Sequence, residues 1–182
     1  MRLTAELISS SEQRTNPLGE REIILRGLAI PVIEHLGVTR DAFDAMDLTD
    51  NRLSRLENFP RLLRLSSLSL SGNVIETIDP NNMSNNLPNL KYLDISNNHI
   101  ATLLEVSNIG KAYSADDKKG NSESDIKKGT LEVLNLHGNP VQSEYFLKDY
   151  AHCSYLSLFY SAGDLTVVLL DSNFSTPKAD LE

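Results

Sequence analysis

Four histidines, one cysteine and 25 acidic side chains are the groups in this 182-residue chain that could act as acids, bases, nucleophiles or metal ligands. They form no recognisable constellation. His35, His99, His137 and His152 are scattered, and none has the adjacent partner and orienting group that acid–base work requires. There is no Gly-rich phosphate loop, no His-Glu-x-x-His and no Gly-x-Ser-x-Gly. The single thiol, Cys153, can make neither an internal disulfide nor a cysteine-based zinc site. Lying next to tyrosines, it reads as a small buried apolar group. No catalytic residue, metal or cofactor is expected.

Contact chemistry is better served. Four segments alternate an aliphatic residue with a variable one: Ala45, Asp47, Thr49; Ser67, Ser69, Ser71; Tyr92, Asp94, Ser96; and Val133, Asn135, His137. Such alternation marks half-buried strands and puts the variable residues on the open face. Arg26 and Asp171 flank them by extrapolation. Small side chains with Asp47 and Asp94 beside them suit a basic amphipathic helix, because opposite charge speeds encounter. Six strands span roughly 25–30 Å. One helix, about 10–12 Å wide with its side chains, fits end-on or crosswise. Lysine at both Asp47 and Asp94 is expected to abolish binding and barely change thermal unfolding.

The elements that position these residues are repeats. The segments read Phe43-x-x-Met46-x-Leu48-x-x-Asn51-x-Leu53-x-x-Leu56, Leu65-x-x-Leu68-x-Leu70-x-x-Asn73-x-Ile75-x-x-Ile78, Leu90-x-x-Leu93-x-Ile95-x-x-Asn98-x-Ile100-x-x-Leu103 and Leu131-x-x-Leu134-x-Leu136-x-x-Asn139-x-Val141. The Asn51–Asn73 step is 22 residues and the Asn73–Asn98 step is 25. This pattern is that of a leucine-rich repeat. It implies an α/β solenoid: a right-handed horseshoe with a parallel concave sheet, a helical or irregular convex side, and a cap at each end. Residues four and six of each repeat point into the core. Asn51, Asn73, Asn98 and Asn139 stand where the chain turns out of the strand, and their amides can satisfy backbone groups there.

Partial repeats lie at the ends. Ile23-x-Leu25, with Ile30 and Ile33, falls 23 residues before the Leu48 register and has Leu28 where Asn is expected. Leu3, Leu7 and Ile8 fit one face of a short N-terminal helix. Tyr145, Phe146, Tyr150 and Tyr155-Leu156 suit a helical C-terminal cap, and Leu165-x-x-Val168-x-Leu170 a last strand. Caps are needed because an open solenoid end exposes core and strand edge. Asn81–Asn86 reads as an outer-face loop. Lys111–Gly129, charged and punctuated by Ser and Gly, reads as a flexible surface insertion. One domain over 1–178 follows: cap and first repeat at 1–40, regular repeats at 41–110 and 130–141, and a C-terminal cap at 142–178. Residues 179–182 are a tail in which Leu181-Glu182 looks like a cloning remnant.

The net charge of −8 argues against broad binding of a nucleic-acid backbone and for a basic partner. The lack of a signal-like apolar run and of disulfide pairs suits the cytosol or nucleus.

Leu3-Thr4-Ala5-Glu6-Leu7-Ile8, Arg21-Glu22, Leu25-Arg26-Gly27, Ile30-Pro31-Val32-Ile33-Glu34, Leu36-Gly37, Phe43-Asp44-Ala45, Asp50-Asn51 and Phe59-Pro60 closely resemble the A-prime proteins of the U2 small nuclear ribonucleoprotein. The likeness covers about residues 1 to 75; later repeats match as leucine-rich repeats alone. Asn139-Pro140-Val141, with Tyr150 and Leu169-Leu170-Asp171, is similar to that family's C-terminal cap. The insertion is a departure, as is Ala162-Gly163-Asp164 where the family has Pro before the last strand. The resemblance implies a nuclear, non-catalytic splicing scaffold. Its concave face would clasp the first helix of an RNA-recognition-motif protein, B-double-prime, and the pair would hold the terminal stem-loop of U2 RNA. By that carry-over Arg26, Ala45, Asp47, Thr49, Ser67, Ser69, Ser71, Tyr92, Asp94, Ser96, Asn135 and His137 become the partner site, with Arg26 near RNA. The alternative keeps the fold and changes the partner: an intracellular adaptor of the phosphatase-regulatory or axonemal type.

Overall fold

The computed structural model describes residues 2–113 and 131–142, with the backbone of 158–161 and 164–168. In chain order the elements are α1 (Ala5–Ser10), β1 (Glu12–Thr15), β2 (Arg21–Ile24), a 3-10 turn (Leu36–Thr39), β3 (Ala45–Asp47), β4 (Arg55–Leu56), β5 (Ser67–Ser69), β6 (Thr77–Ile78), α2 (Pro80–Asn86), β7 (Tyr92–Asp94), α3 (Leu103–Tyr113), β8 (Val133–Asn135), a second 3-10 turn (Pro140–Gln142), β9 (Leu158–Ser161) and β10 (Asp164–Val168). The main sheet runs β1-β2-β3-β5-β7-β8-β10-β9, and β4 and β6 form a small sheet of their own.

Strands β2, β3, β5, β7 and β8 are parallel, in the register Glu22–Ala45–Ser67–Tyr92–Val133. Residues four and six of the repeats, Met46 and Leu48 through Leu134 and Leu136, are buried. An aliphatic core therefore runs unbroken beneath the sheet. Both ends of the sheet depart from parallel pairing. β1 pairs antiparallel with β2, so the N-terminal edge is a hairpin the repeat pattern did not reveal. The expected last strand is present as β10, but it runs antiparallel to β8. The cap residues Tyr145 to Leu156, Cys153, His152 and Asp171 lie outside the described residues.

The ninth-position asparagines join one repeat to the next. Asn98 Nδ2 donates to the carbonyls of Leu70, Ile95 and Ser96 at 3.0, 3.0 and 2.9 Å, and Oδ1 accepts from the Ile75 N–H at 2.9 Å. Asn73 serves Leu48, Leu70 and Leu53 in the same way, and Asn139 serves Ile95, Leu136 and Ile100. Asn51 reaches back to Leu25 O and to the N–H groups of Leu28 and Ile30. Each amide thus satisfies its own turn and the turn before it. This explains Leu28 at the first ninth position. The strand preceding β2 is the antiparallel β1, so there is no earlier repeat turn for an amide to serve.

The eighth position carries a second constraint. Gly27, Asp50, Gly72, Asn97 and Gly138 all have positive φ, between 52° and 71°. Only Gly and, through local hydrogen bonding, Asn or Asp enter this region readily. The two kinds alternate because neighbours touch: a Cβ on Gly72 would fall 2.5 Å from Asp50 Oδ1, and one on Gly138 would collide with Asn97 Oδ1.

Two expectations need correction. Asn81–Asn86 is not a loop but lies in helix α2. Asp79 caps it through the Asn81 and Asn82 N–H groups, Pro80 supplies the first turn, and Met83 and Leu87 bury one turn apart. Asn82 also accepts from the Phe59 N–H at 2.9 Å, so its amide stitches the helix to the preceding repeat. The insertion does not begin at Lys111. Lys111, Ala112 and Tyr113 complete α3, and the Tyr113 ring is buried in the core. The remainder of that segment, 114–129, lies outside the described residues. α3 stands where a third strand of the β4–β6 sheet is expected. Glu105 accepts from the Ile78 N–H at 2.8 Å and Asn108 donates to its carbonyl, so side chains satisfy the open edge of β6.

Asn98→Ala removes four hydrogen bonds but leaves one buried group unpaired, the Ile75 N–H, because the Leu70, Ile95 and Ser96 carbonyls keep Asn73 Nδ2, Asn139 Nδ2 and the Gly72 N–H. At roughly 1–3 kcal/mol for a buried group left unpaired, it should lower unfolding free energy by about 1–3 kcal/mol in urea titration. Gly138→Ala should cost more than Gly27→Ala, since both are strained by positive φ but a Cβ at Gly27 meets nothing within 4 Å. Equal costs would show that the Gly/Asx contact is irrelevant.

Candidate functional site

The face opposite the core carries the variable residues in three rows. The first is Ala45, Ser67, Tyr92 and Val133; the second is Asp47, Ser69, Asp94 and Asn135. The third, one step beyond the strands, is Arg26, Thr49, Ser71, Ser96 and His137, held level by bonds such as Gly27 N to Thr49 O and Asn97 N to His137 O. All twelve predicted site residues therefore lie in one array.

The array also extends where the sequence reading missed it. Glu22 and Ile24 of β2 continue the first and second rows, and Arg14 of β1 pairs across the hairpin with Glu22, Nε to Oε2 2.7 Å. Glu22 and Ile24 stand at positions three and five of the first repeat, so their place was readable from Ile23-x-Leu25. Arg14 carried no such signal, because it belongs to no repeat.

The acids are not simply solvated. Asp47 Oδ1 accepts from the Thr49 N–H at 2.9 Å, and Asp94 Oδ1 from the Ser96 N–H at 2.9 Å. Asn135 makes the same bond to the His137 N–H at 3.0 Å. Position five thus closes the strand end with an Asx-type turn, and a neutral amide does it as well as a carboxylate. This overturns the expectation that lysine at both acids leaves unfolding untouched, since lysine has no acceptor for those N–H groups. Ser96 Oγ donates to Ser71 Oγ at 2.9 Å, which fixes the small floor. Tyr92 stands above it, 40% exposed, its hydroxyl 3.4 Å from Glu132 Oε2, while Lys91 Nζ lies 3.0 Å from the other oxygen. Arg26 is exposed at the far edge, Nε 3.3 Å from Asp50 Oδ2.

At the strands' N-terminal ends, Asp44 accepts from the Arg21 N–H at 3.0 Å and from Arg64 Nη2 at 2.7 Å. The Arg21 backbone bond, then the Arg64 guanidinium, hold its carboxyl below the ordinary value of 3.8 against the opposing effect of burial. Among the described residues no group of three His, Cys, Asp or Glu side chains could hold a metal ion. His99 lies away from the array, exposed beyond the turn, and His35 lies 3.9 Å from Glu34 at the N-terminal cap. Among the described residues the array offers shape and charge for contact.

The leucine-rich-repeat family model matches residues 1–115. The U2 small nuclear ribonucleoprotein A' of Mycosarcoma maydis is 50% identical over 144 residues, 79% of this chain and 52% of that protein. The Homo sapiens protein of the same name is 45% identical over 103 residues, 57% of this chain and 40% of its own length. A chain in the crystal structure of the Drosophila melanogaster SNF/U2A' complex superposes with a TM-score of 0.65 at 36% identity, covering 77% of this chain and 71% of that one. The chain belongs to the leucine-rich-repeat family, among its U2 small nuclear ribonucleoprotein A' members. It spans about half the length of the first curated relatives it matches. The 144-residue match runs well past residues 1–75, so the family likeness extends into the later repeats.

Two predictions follow from the turn and rim chemistry. Asp47→Asn with Asp94→Asn keeps the Oδ1 acceptor and should leave the melting temperature within about 1–2 °C of wild type, whereas Asp47→Lys with Asp94→Lys should lower unfolding free energy by about 1–3 kcal/mol. Asp44 has a native pKa below its unfolded one, so its contribution is fully present above the ordinary carboxylate range and is lost as pH falls through the native value. Asp44→Asn should therefore flatten the acid limb of stability below about pH 4, as read by urea midpoints. An unchanged limb would remove Asp44 from the account.

Proposed function

We propose that this chain is a non-catalytic scaffold of the U2 small nuclear ribonucleoprotein in pre-mRNA splicing, working in the nucleus. Its concave face holds a helix of an RNA-recognition-motif protein of the B-double-prime type, and through that partner it helps hold the U2 RNA stem-loop. The observation that carries this reading is the likeness to a chain solved in the SNF/U2A' complex. That chain is known in an assembly with a protein partner, and here the concave face is an open, ordered array of small and acidic groups. The U2 small nuclear ribonucleoprotein A' relatives point to the same particle. Two features of the chain agree. Its net charge of −8 suits contact with RNA through a partner rather than along its own surface. Arg26, at the far edge of the array, is the basic residue placed to meet RNA.

The test is an affinity capture from nuclear extract with mass spectrometry and RNA sequencing of the eluate. Recovery of an RNA-recognition-motif protein together with U2 RNA is expected, and RNase treatment should leave the protein partner bound. Recovery of a phosphatase or an axonemal assembly, without U2 RNA, would assign the chain to a different adaptor class.

A further inference from the structure

The eight-stranded sheet begins at β1, a strand exposed along its whole length. The hydrogen-bond alternation tells which of its backbone groups are already used. In β2, Arg21 and Leu25 turn theirs to β3: the Asp44 N–H donates to Arg21 O at 2.9 Å, and the Leu25 N–H to Asp47 O at 2.7 Å. Glu22 and Ile24 therefore face β1, where Arg14 and Glu12 stand opposite them. The Asn16 N–H, which donates to Glu20 O at 2.9 Å, continues the same alternation. Gln13 and Thr15 are left with their N–H and C=O groups pointing off the sheet, and no strand among the described residues lies beyond them. The side chains on the concave side of this edge are only partly used. Arg14 gives Nε to Glu22, and no bond of its Nη atoms is formed among the described residues. Glu12, on the same face two residues away, has no partner there either. A free carboxylate and a half-used guanidinium in this spacing complement themselves when the strand is reversed.

We propose that β1 is a self-association edge, through which two copies of the chain pair antiparallel about a two-fold axis at Gln13. Such an axis sets each residue against its mirror position, and opposed side chains share one side of the sheet. Charge selects the centre. An axis at Glu12 or at Arg14 sets like charges directly against each other, which is destabilising. An axis at Thr15 sets Gln13 against Pro17, which has no N–H to give. At Gln13, the two Gln13 residues exchange both backbone bonds, and each Thr15 N–H meets the Ser11 carbonyl of the second copy. Glu12 then faces Arg14 of the second copy, twice. Each contact extends the existing Arg14–Glu22 pair into a carboxylate–guanidinium–carboxylate row across three strands. The new strand lies outside β1, so the pairing does not depend on what occupies the concave face. The edge is short and polar, and each copy carries a net charge of −8. Association is therefore weak, with a Kd on the order of 0.1–1 mM.

Sedimentation equilibrium of the whole chain is the test, at up to about 1 mM protein and about 0.15 M salt, where repulsion between the copies is screened beyond about 8 Å. A monomer–dimer equilibrium is expected. Gln13→Pro removes only an N–H that points off the sheet, so the β1–β2 bonds and the melting curve should stay as they are. It should weaken dimerisation by at least about tenfold. Charge exchange reads the register. Glu12→Arg sets like charges against Arg14 of the second copy, and Arg14→Glu sets them against its Glu12, so each variant alone should sediment as a monomer. An equimolar mixture of these two variants opposes unlike charges at both contacts, and should recover dimers to within about 3-fold of the wild-type Kd. A wild-type chain that stays monomeric, or dimers untouched by a folded Gln13→Pro variant, would overturn the edge as an interface. A mixture that stays monomeric would overturn the axis at Gln13, and this mixing result decides alone if Gln13→Pro fails to fold.

Discussion

The structure hangs on one amide. Every turn out of a repeat strand leaves backbone carbonyls and N–H groups pointing into a dry interior, where an unpaired group costs on the order of 1–3 kcal/mol. The ninth-position asparagine supplies donor and acceptor together, and splits them between its own turn and the preceding one. Aspartate could not do this, having no N–H to donate, and glutamine would carry the amide one methylene too far. Because each side chain serves two repeats, no repeat is complete without its neighbour. Stability is therefore a property of adjacent pairs, as expected of a solenoid.

That division of labour leaves the open face free for recognition. Positions four and six are held by the core, eight by positive φ and nine by the amide ladder. Positions three, five and seven answer to none of these. Position five is only half free, since Asp47, Asp94 and Asn135 each accept a bond from the backbone two residues on. Ser69 shows that the turn survives without this bond being made there, so the acceptor tightens the strand end rather than creating it. Acidic character on the concave face is thus partly a consequence of turn chemistry. The same carboxylate closes a turn and sets the charge a partner meets.

What could be read from the sequence follows from what repeats. The strands, their register and the array on their open face were legible because one pattern recurs four times and its period fixes which side chains share a row. What departs from the pattern was not. α2 was hidden by a run of asparagines with weak helix propensity, although Asp79-Pro80 and the one-turn spacing of Met83 and Leu87 were signals of a cap and a buried face. The β1–β2 hairpin was hidden because β1 is exposed along its length and shows no apolar alternation. With it went Arg14, which becomes a site residue only through cross-strand pairing with Glu22. Tyr113 was lost to the insertion because Lys111-Ala112-Tyr113 runs without a break into the charged, Ser- and Gly-punctuated stretch, although the Tyr113 ring is buried in the core. The eighth-position alternation of Gly with Asx was present in the text of the chain. Its meaning needed the contact between neighbouring turns.

The wider consequence is pre-organisation. Binding costs free energy wherever a side chain must be frozen on contact, about 0.5–1.5 kcal/mol for each flexible one. On this face little remains to freeze. Ser71 and Ser96 already bond one another, Asp47 and Asp94 are already locked to the backbone, and Tyr92 and Arg14 are already held by Glu132 and Glu22. A sheet of short parallel strands over an aliphatic core adds a rigid base. Such a surface gains affinity from shape and charge set in advance, and it penalises a wrong occupant for the same reason, since nothing in it yields to accommodate a misfit.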